Sequence, residues 1–454
     1  MTKRQKVFLF IFTALFFAAG SSFANNPYLA GRASTKLPKF KNPKLVEKIL
    51  PNAMRCYLKE DHTIPVVQVQ LSFRAGGIYD PPDKAGLATI AGMTMRSGGA
   101  GEFSPEAFDE AVDDIGANIS SWVGTDRGVA SLKVLSKDLD RGLELLFKMI
   151  FEPSFDKKRT ELSKKNILEA LRRERDDPNQ YADRLFMQMV YGEKSAWARV
   201  PSAEDLTRIE LEDLREFQKK YLRPDNIILA VSGDFSSNDF LKKIKSLTKA
   251  APDGAIIFPE VAELKPSFTP EVKRVKGPST QAFVRLGHLG VRRHNPEWFA
   301  IQVMNNIFGQ GGFKSRLMSD IRTNRGLAYS ISGGISQGSD YGLFEVKFST
   351  SAKTASLATE LVLKHIEEMA LTGNFSDAEL DFAKRSILSS AVFEIDSAFK
   401  IASGRARFYF YGYPPNYWRV AYDGVKKVSA DDVGRVAKKY LHPNGIKLLY
   451  LGPN

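Results

Sequence analysis

The chain has 454 residues, of which 43% are apolar, and a formal net charge of +13. This length allows two or more domains, each with a substantial core. The single cysteine, Cys56, excludes an internal disulfide and a thiolate zinc site, and no two of the five histidines are three to five residues apart, which excludes a local histidine-based metal motif. The basic charge could attract anionic partners, although a solvated basic surface is the simpler explanation.

The first 24 residues have the pattern of a secretory signal peptide. A basic start precedes an apolar run from Val7 to Ala19 and a small-x-small cleavage site at Ser22–Ala24. The apolar run is too short to span a bilayer comfortably, and no later stretch is long enough. We therefore expect a cleaved, exported protein without stable membrane insertion, with a bacterial periplasm as the natural compartment. Residues 25–45 are predicted to form an extended arm.

Apolar spacings along the chain predict two sets of strands and helices. The first set is a strand over 67–73, helices over 86–95 and 105–115, strands over 117–124 and 127–134, and helices over 139–151, 157–176 and 211–220. The second set is a strand over 281–286, a helix over 298–308, strands over 329–335 and 342–349, and helices over 355–371, 376–395 and 430–439.

The two sets end in similar sequences. Residues 219–235 read KKYLRPDNIILAVSGDF and residues 438–454 read KKYLHPNGIKLLYLGPN, each a turn at a proline followed by a short apolar strand. An internal duplication explains this similarity. We expect an α+β fold of two homologous sandwich halves, 46–250 and 271–454, joined by a proline-containing linker over 251–270.

The segment from Gly86 to Gly99 has the frame of an inverted zinc motif, H-x-x-E-H, without its functional side chains. Thr89 stands at the first His, Gly92 at the Glu and Met93 at the second His. A working motif uses two histidines on one helical face as zinc ligands and the Glu as base on the bound water. Glycine has no side chain, and threonine and methionine are poor zinc ligands. The sequence therefore predicts no metal in this chain.

A second motif lies between Gly309 and Tyr329. The glycine run GQGGFKSRL does not fit a phosphate-binding loop, because Phe313 rather than glycine precedes Lys314 and the preceding segment has helical spacing. We interpret it as a turn that exposes backbone donors, although a plain connection between helices would also fit. Arg322 and Tyr329 follow, and a turn between them could bring both to one place. A guanidinium can hold a peptide carbonyl or carboxylate, and a phenol can donate to an oxyanion.

These motifs resemble the pitrilysin/insulinase family of inverzincin metallopeptidases, in particular the mitochondrial-processing-peptidase-like branch. The resemblance covers nearly everything after residue 24 and implies two homologous α+β halves that help enclose a chamber for unfolded peptides. It implies that Arg322 and Tyr329 approach a substrate bound at the zinc of an opposing half, with Gly309, Gly311 and Gly312 in the substrate-binding loop. It also places the distal zinc-ligand position at Glu169, 76 residues after Met93. One carboxylate cannot hold a catalytic zinc, and in its charged helix an ion-paired structural role is the simpler prediction for Glu169.

The leading hypothesis is a non-catalytic subunit of an exported zinc metallopeptidase. Its partner would be a homologue with an intact H-x-x-E-H, which would carry the zinc, and its substrates would be unfolded peptides. A non-hydrolytic peptide-binding or structural chamber protein is the alternative, and a stand-alone hydrolase of another chemistry is a third. The aromatic run from Phe408 to Tyr413 lacks the interleaved basic stripe of a nucleic-acid site, so no nucleic-acid partner is expected. No G-x-S-x-G elbow supports a serine hydrolase.

Overall fold

The computed structural model describes residues 40–249, 251, 254–277 and 279–453. The predicted signal peptide at 1–24 and most of the predicted arm at 25–45 lie outside them. The strands in this part of the chain are β1 (Val46–Ile49), β2 (Arg55–Glu60), β3 (Val66–Phe73), β4 (Asn118–Val123), β5 (Gly128–Leu135), β6 (Ile227–Gly233), β7 (Glu271–Lys276), β8 (Gln281–Leu289), β9 (Val291–Arg292), β10 (Ile331–Ile335), β11 (Gln337–Gly338), β12 (Leu343–Ser351) and β13 (Lys447–Gly452).

The α-helices are α1 (Leu87–Ser97), α2 (Pro105–Asp113), α3 (Leu139–Phe151), α4 (Lys157–Arg173), α5 (Pro178–Tyr191), α6 (Ala203–Arg208), α7 (Leu211–Tyr221), α8 (Ser237–Leu247), α9 (Trp298–Asn305), α10 (Ala355–Thr372), α11 (Asp377–Ser390), α12 (Ala398–Phe410), α13 (Tyr417–Lys427) and α14 (Ala430–Tyr440). Two π-helical turns, Asn306–Gln310 and Met318–Asn324, lie after α9. None of the helices in the described residues is both long and apolar enough to cross a membrane.

The two large sheets share a five-stranded topology, to which the first sheet adds β1 at its edge. The first has the strand order β1-β2-β6-β3-β5-β4 and the second the order β10-β12-β8-β13-β7. The order of the second sheet, read from its opposite edge, matches that of the first: β7 corresponds to β2, β13 to β6, β8 to β3, β12 to β5 and β10 to β4. In each sheet the pair β2–β6 or β7–β13 is parallel and the remaining pairs are antiparallel. The predicted α+β fold of two homologous halves is confirmed.

The two halves exchange helices across their boundary. Helix α5 of the first half buries Ala182 and Phe186 against Leu449 and Leu451 of β13. Helix α12 of the second half packs in the same way on β2 and β6. Each sheet is thus covered on one face by a helix from the other half, which ties the halves into one body through apolar burial.

An ion pair between a buried guanidinium and a partly exposed carboxylate accompanies this exchange. Arg285 of β8 is 2% exposed, and its Nε donates to Asp183 Oδ1 of α5 at 2.5 Å. Its Nη2 also donates to the side-chain oxygen of Asn179 at 3.0 Å. The guanidinium therefore has partners across the boundary between the halves, as a buried cation needs.

The elements that were predicted differ from the observed ones mainly at their ends, but five observed helices had no predicted counterpart: α5, α6, α8, α12 and α13. The helix predicted over 298–308 gives way to the π-helical turn after Asn305, and the strand predicted from Tyr329 begins at Ile331. Among the described residues of the predicted linker, 254–270 form no helix or strand. The domain boundaries drawn at this linker stay a prediction.

Candidate functional site

Helix α1 carries the degenerate zinc motif and is held at its start by a buried carboxylate. Gly86, the residue before the helix, has a left-handed backbone with φ of 97°, which glycine adopts without strain. Asp80 accepts hydrogen bonds from the backbone N–H groups of Gly86 and Ala88 at 2.9 and 3.0 Å. Burial raises the pKa of Asp80 to about 7, although these hydrogen bonds oppose the rise. Sequence reasoning missed this residue, because it precedes the motif frame.

The three motif positions differ in their surroundings. Thr89 is exposed, Met93 is half-buried and Gly92 is buried. A Cβ built on Gly92 would lie 2.5 Å from the backbone N of Val123 and 2.9 Å from the backbone C of Trp122, both in β4. Strand β4 therefore occupies the space into which a Glu side chain at position 92 would have to extend.

The distal carboxylate does not complete a metal site. Glu169 is exposed on α4. Its Oε1 accepts a hydrogen bond from Arg172 Nη1 at 2.7 Å, in an ion pair between residues three positions apart on the helix. Among the residues that the structure describes, no three His, Cys, Asp or Glu side chains are grouped so that they could hold a metal ion. The side chains at the motif positions and the approach of β4 do not fit the zinc centre of an inverted motif.

Arg322 and Tyr329 do come together. The guanidinium of Arg322, in the second π-helical turn, lies 5.2 Å from the ring centre of Tyr329 and 4.9 Å from that of Phe313. Both rings are largely exposed, Tyr329 at 82% and Phe313 at 66%. We call Phe313, Arg322 and Tyr329 the aromatic–arginine cluster. Its cation–π contacts hold the guanidinium at the protein surface.

The guanidinium of Arg322 has no carboxylate partner among the described residues. Its one polar contact there is weak, from Nη1 to Met318 Sδ at 3.9 Å. The acidic residue two positions earlier, Asp320, is bound to Arg325 at 2.8 Å and to His365 at 2.9 Å. The donors of Arg322 therefore remain available to a ligand carrying carbonyl or carboxylate oxygens.

The three glycines of the predicted loop have different roles in packing. Gly309 is buried, and a Cβ on it would lie 2.5 Å from the backbone N of Gly333 in β10. A Cβ on Gly311 would lie 2.4 Å from the backbone O of Asn306. Gly312 is exposed, with φ of 61° and open space around it. Close packing explains the missing side chains of Gly309 and Gly311, and the predicted substrate contact of all three glycines stays a prediction.

The two predicted groups of residues belong to different halves. Thr89, Gly92, Met93 and Glu169 lie on helices of the first half, and the aromatic–arginine cluster lies in the second. Across the described ranges, no hydrogen bond, ion pair or ring contact joins the two groups. Sequence reasoning used Phe313 only to exclude a phosphate loop, although an exposed aromatic residue in a glycine run is itself a signal of a contact surface.

Comparison with known proteins gives matches along most of the chain. Residues 55–197 match the family model described as Insulinase (Peptidase family M16), and residues 208–387 match the model described as Peptidase M16 inactive domain. A Helicobacter pylori protein named non-peptidase homolog YmxG is 24% identical over 394 residues, 86% of this chain and 89% of that protein. The probable mitochondrial-processing peptidase subunit beta of Arabidopsis thaliana is 23% identical over 423 residues, 89% of this chain and 77% of that protein.

Solved structures share the fold. A peptidase M16 inactive domain from Pseudomonas fluorescens superposes with a TM-score of 0.82 at 24% identity, covering 91% of this chain and 98% of that one. The periplasmic protease PqqL from Escherichia coli gives a TM-score of 0.74 at 16% identity, covering 92% of this chain and 47% of that one. At these identities the similarity establishes the two-half architecture and leaves the chemistry to the residues themselves.

Proposed function

The chain belongs to the insulinase family, peptidase family M16, as a member without the catalytic motif, and we propose that it is a subunit of an exported peptidase. In this proposal the catalytic centre is in a homologous partner with an intact H-x-x-E-H. The observation that carries the proposal is the contrast between the two halves. The first half has Gly92 packed against β4, whereas the second half presents Arg322, which has no carboxylate partner in the described part of the chain, beside two exposed rings.

The aromatic–arginine cluster has the chemistry to bind and orient a peptide. The guanidinium of Arg322 can donate two parallel hydrogen bonds to a carbonyl or carboxylate of the substrate. The Tyr329 hydroxyl, on a side chain that is 82% exposed, can donate to an oxygen that gains negative charge during hydrolysis. Phe313 can cover apolar substrate side chains while it keeps the guanidinium in place. Metal, water and general base would come from the partner.

A homologous partner is supported by one of the relatives. The Arabidopsis protein, which matches 89% of this chain over 77% of its own length, is named as a probable subunit of a peptidase. Export is supported by the composition of residues 1–24, and the Escherichia coli structural neighbour is described as periplasmic. We therefore propose a heterodimer in the periplasm, with unfolded peptides as substrates.

The experiment is to replace Tyr329 by Phe and assay peptide cleavage by the assembled pair. Loss of one oxyanion donor typically lowers kcat by about 10²–10³-fold. We expect that decrease in kcat with unchanged assembly, because Tyr329 is exposed and its ring contact with Arg322 would be kept. Tyr409→Phe is the matched control, since Tyr409 is also exposed and lies outside the cluster. Unchanged kcat in Tyr329→Phe would remove this hydroxyl from the mechanism.

A second candidate is a chamber protein that binds peptides without hydrolysing them, alone or as a homodimer. The relative named non-peptidase homolog favours it, whereas the packing of Gly92 against β4 is compatible with both candidates. The partner distinguishes the two candidates, because binding without hydrolysis needs no H-x-x-E-H homologue. Peptide binding by the isolated chain that Arg322→Ala abolishes, with no cleavage in any mixture, would establish this second function.

A further inference from the structure

A cavity of about 690 Å³ lies where the ends of the two sheets approach each other. Its wall includes Arg74, which follows β3 of the first half, and Arg293, which follows β9 of the second. The loop after α5 adds Trp197, and the loop after α12 adds Tyr411. We call it the inter-half cavity. A ligand held there would contact residues of both halves.

The guanidinium of Arg293 lies against a ring and lacks an acceptor. Its central carbon is 3.7 Å from the ring centre of Tyr411, so the ring covers one face of the guanidinium. Arg293 Nε is buried and has no hydrogen-bond partner, and Trp197 Nε1 on the same wall is a second such donor. The two Nη groups of Arg293 bond to no residue that the structure describes. A guanidinium in this state is poorly satisfied, and an anion at its Nη edge would compensate it.

The carboxylates of the wall, in contrast, have partners. Glu263 and Asp340 are both bound to Arg292, at 3.2 and 3.1 Å. Asp126 Oδ2 accepts a hydrogen bond from Ser339 Oγ at 2.5 Å. These contacts leave no wall carboxylate paired with the remaining arginines in the described part of the chain.

Arg74 is the second arginine of the wall without a carboxylate. Its side chain is exposed and lies 5.4 Å from the ring centre of Phe258, and among the described residues its guanidinium forms no ion pair or hydrogen bond. Three arginines and three carboxylates line the cavity, so the wall carries no net charge when His294 is counted as neutral. The two unpaired guanidiniums therefore suit a singly charged anion, whereas the carboxylates nearby would repel a phosphate dianion.

Rings supply much of the rest of the wall. Tyr79, Trp197, Phe410 and Tyr411 all line the cavity, together with the apolar side chain of Val261. Concave surfaces of this composition bury apolar or aromatic groups of a ligand, while a few polar groups fix its orientation. An anion in this cavity therefore needs an apolar group beside its charge.

We propose that the inter-half cavity binds a terminal α-carboxylate next to an aromatic or large apolar side chain, as in the last residue of a peptide or in a free amino acid. The carboxylate would accept hydrogen bonds from Arg293 and Arg74, and the side chain would lie among the rings. Arginine–carboxylate bonds are charge-assisted and can be bidentate, which makes a carboxylate the matching ligand. The site is separate from the aromatic–arginine cluster and does not depend on the proposed catalytic role.

The test is isothermal titration calorimetry of the full chain with three probes. Acetyl-leucyl-phenylalanine has a free α-carboxylate, and its C-terminal amide has the same shape without the charge. We expect saturable binding of the acid with a dissociation constant of about 0.1–1 mM, and at least about tenfold weaker binding of the amide. Free phenylalanine is the third probe. Tighter binding of free phenylalanine than of the dipeptide identifies an amino acid as the source of the carboxylate, and weaker binding identifies a peptide end.

Two protein variants locate the binding. Arg293→Gln removes the partly buried guanidinium and should weaken binding of the acid at least about tenfold. Arg74→Gln changes an exposed residue and should weaken it about threefold or more. Arg274→Gln is the matched control, because its guanidinium also lies near a ring, 5.2 Å from that of Tyr450, but outside this cavity. The thermal midpoint of each variant checks that it folds.

A third variant separates this site from the aromatic–arginine cluster. Arg322→Gln should leave binding of the dipeptide unchanged. Loss of binding in Arg322→Gln with binding kept in Arg293→Gln would place the carboxylate at the cluster and overturn the proposal. Equal binding of acid and amide, no saturable binding, or unchanged binding in both Arg293→Gln and Arg74→Gln would also overturn it. Each of these results is obtained on the isolated chain, so it is distinct from the cleavage test of Tyr329→Phe in the assembled pair.

Discussion

Restoration of the zinc motif should fail, because the backbone of β4 occupies the position of the missing glutamate. The Cβ that Gly92→Ala adds would lie 2.5 Å from the Val123 N atom, about 1 Å closer than an ordinary contact. Overpacking of a buried site typically costs about 1–3 kcal/mol, and occasionally more. We expect Gly92→Ala to lower the thermal midpoint by about 2–12 °C. Gly77→Ala is the matched control, because its nearest contact would be Asp80 Oδ2 at 3.8 Å.

Thermal stability and zinc content are compared between two designed chains. Thr89→His with Met93→His keeps Gly92 and should fold normally, since Thr89 is exposed and Met93 is half-buried. Addition of Gly92→Glu completes H-x-x-E-H but forces β4 to move. We expect the triple variant to be destabilised and to hold less than about 0.1 zinc per chain by elemental analysis, because a catalytic zinc requires three protein ligands in fixed geometry. One zinc per chain with an unchanged thermal midpoint would refute the argument from β4.

Two further predictions concern stability. Burial lowers the pKa of His288 to about 4 from an ordinary 6.5, and its ring accepts from the His442 backbone N–H at 3.2 Å. The unfolded chain binds a proton at this imidazole more readily than the folded chain, so the stability contributed by neutral His288 is fully present above pH 6.5 and is lost as pH falls towards 4. Denaturant titrations should give a free energy of unfolding about 2 kcal/mol lower at pH 5 than at pH 7. His288→Gln should reduce this difference. Asp183→Ala removes the carboxylate partner of the buried Arg285 guanidinium but leaves its bonds to Asn179, and the Asp183 side chain is 40% exposed. The substitution should therefore cost about 1–3 kcal/mol of unfolding free energy in the same assay, whereas Asp239→Ala, at an exposed ion pair, should cost under about 1 kcal/mol. The prediction for Asp183 would be wrong if Asp183→Ala lost no more free energy of unfolding than Asp239→Ala. The prediction for His288 would be wrong if the stability of the His288→Gln chain kept the same pH dependence.

The duplication made much of the fold predictable. The repeated Tyr-Leu-x-Pro segments before β6 and β13 gave the last strand of each half, and apolar spacing gave most helices between them. The helices α5 and α12 were not among the predicted elements. Their exchange between the halves could not have been predicted either, because an amphipathic pattern does not say which sheet a helix covers. Strands β1, β2 and β7 were also missed, since they are short and β1 and β7 carry largely exposed, charged residues.

The candidate site was only partly readable from sequence. The loss of ligands at Thr89, Gly92 and Met93 follows from residue identity, but the packing of Gly92 depends on the distance to β4, which no local pattern encodes. The spacing of Arg322 and Tyr329 suggested that they could meet, and the structure brings them to 5.2 Å. The π-helical turn that positions Arg322 is a departure from 3.6-residue periodicity and is invisible to a periodicity argument.

The most direct test of a non-catalytic subunit is a pull-down of the tagged chain from the exported fraction of its host. Mass spectrometry would identify what accompanies it, and a quenched fluorescent peptide would report cleavage with and without chelator. We expect a similar-sized H-x-x-E-H homologue and chelator-sensitive cleavage by the pair that neither chain shows alone. Recovery of this chain by itself, or cleavage by the isolated chain that persists in chelator, would contradict it.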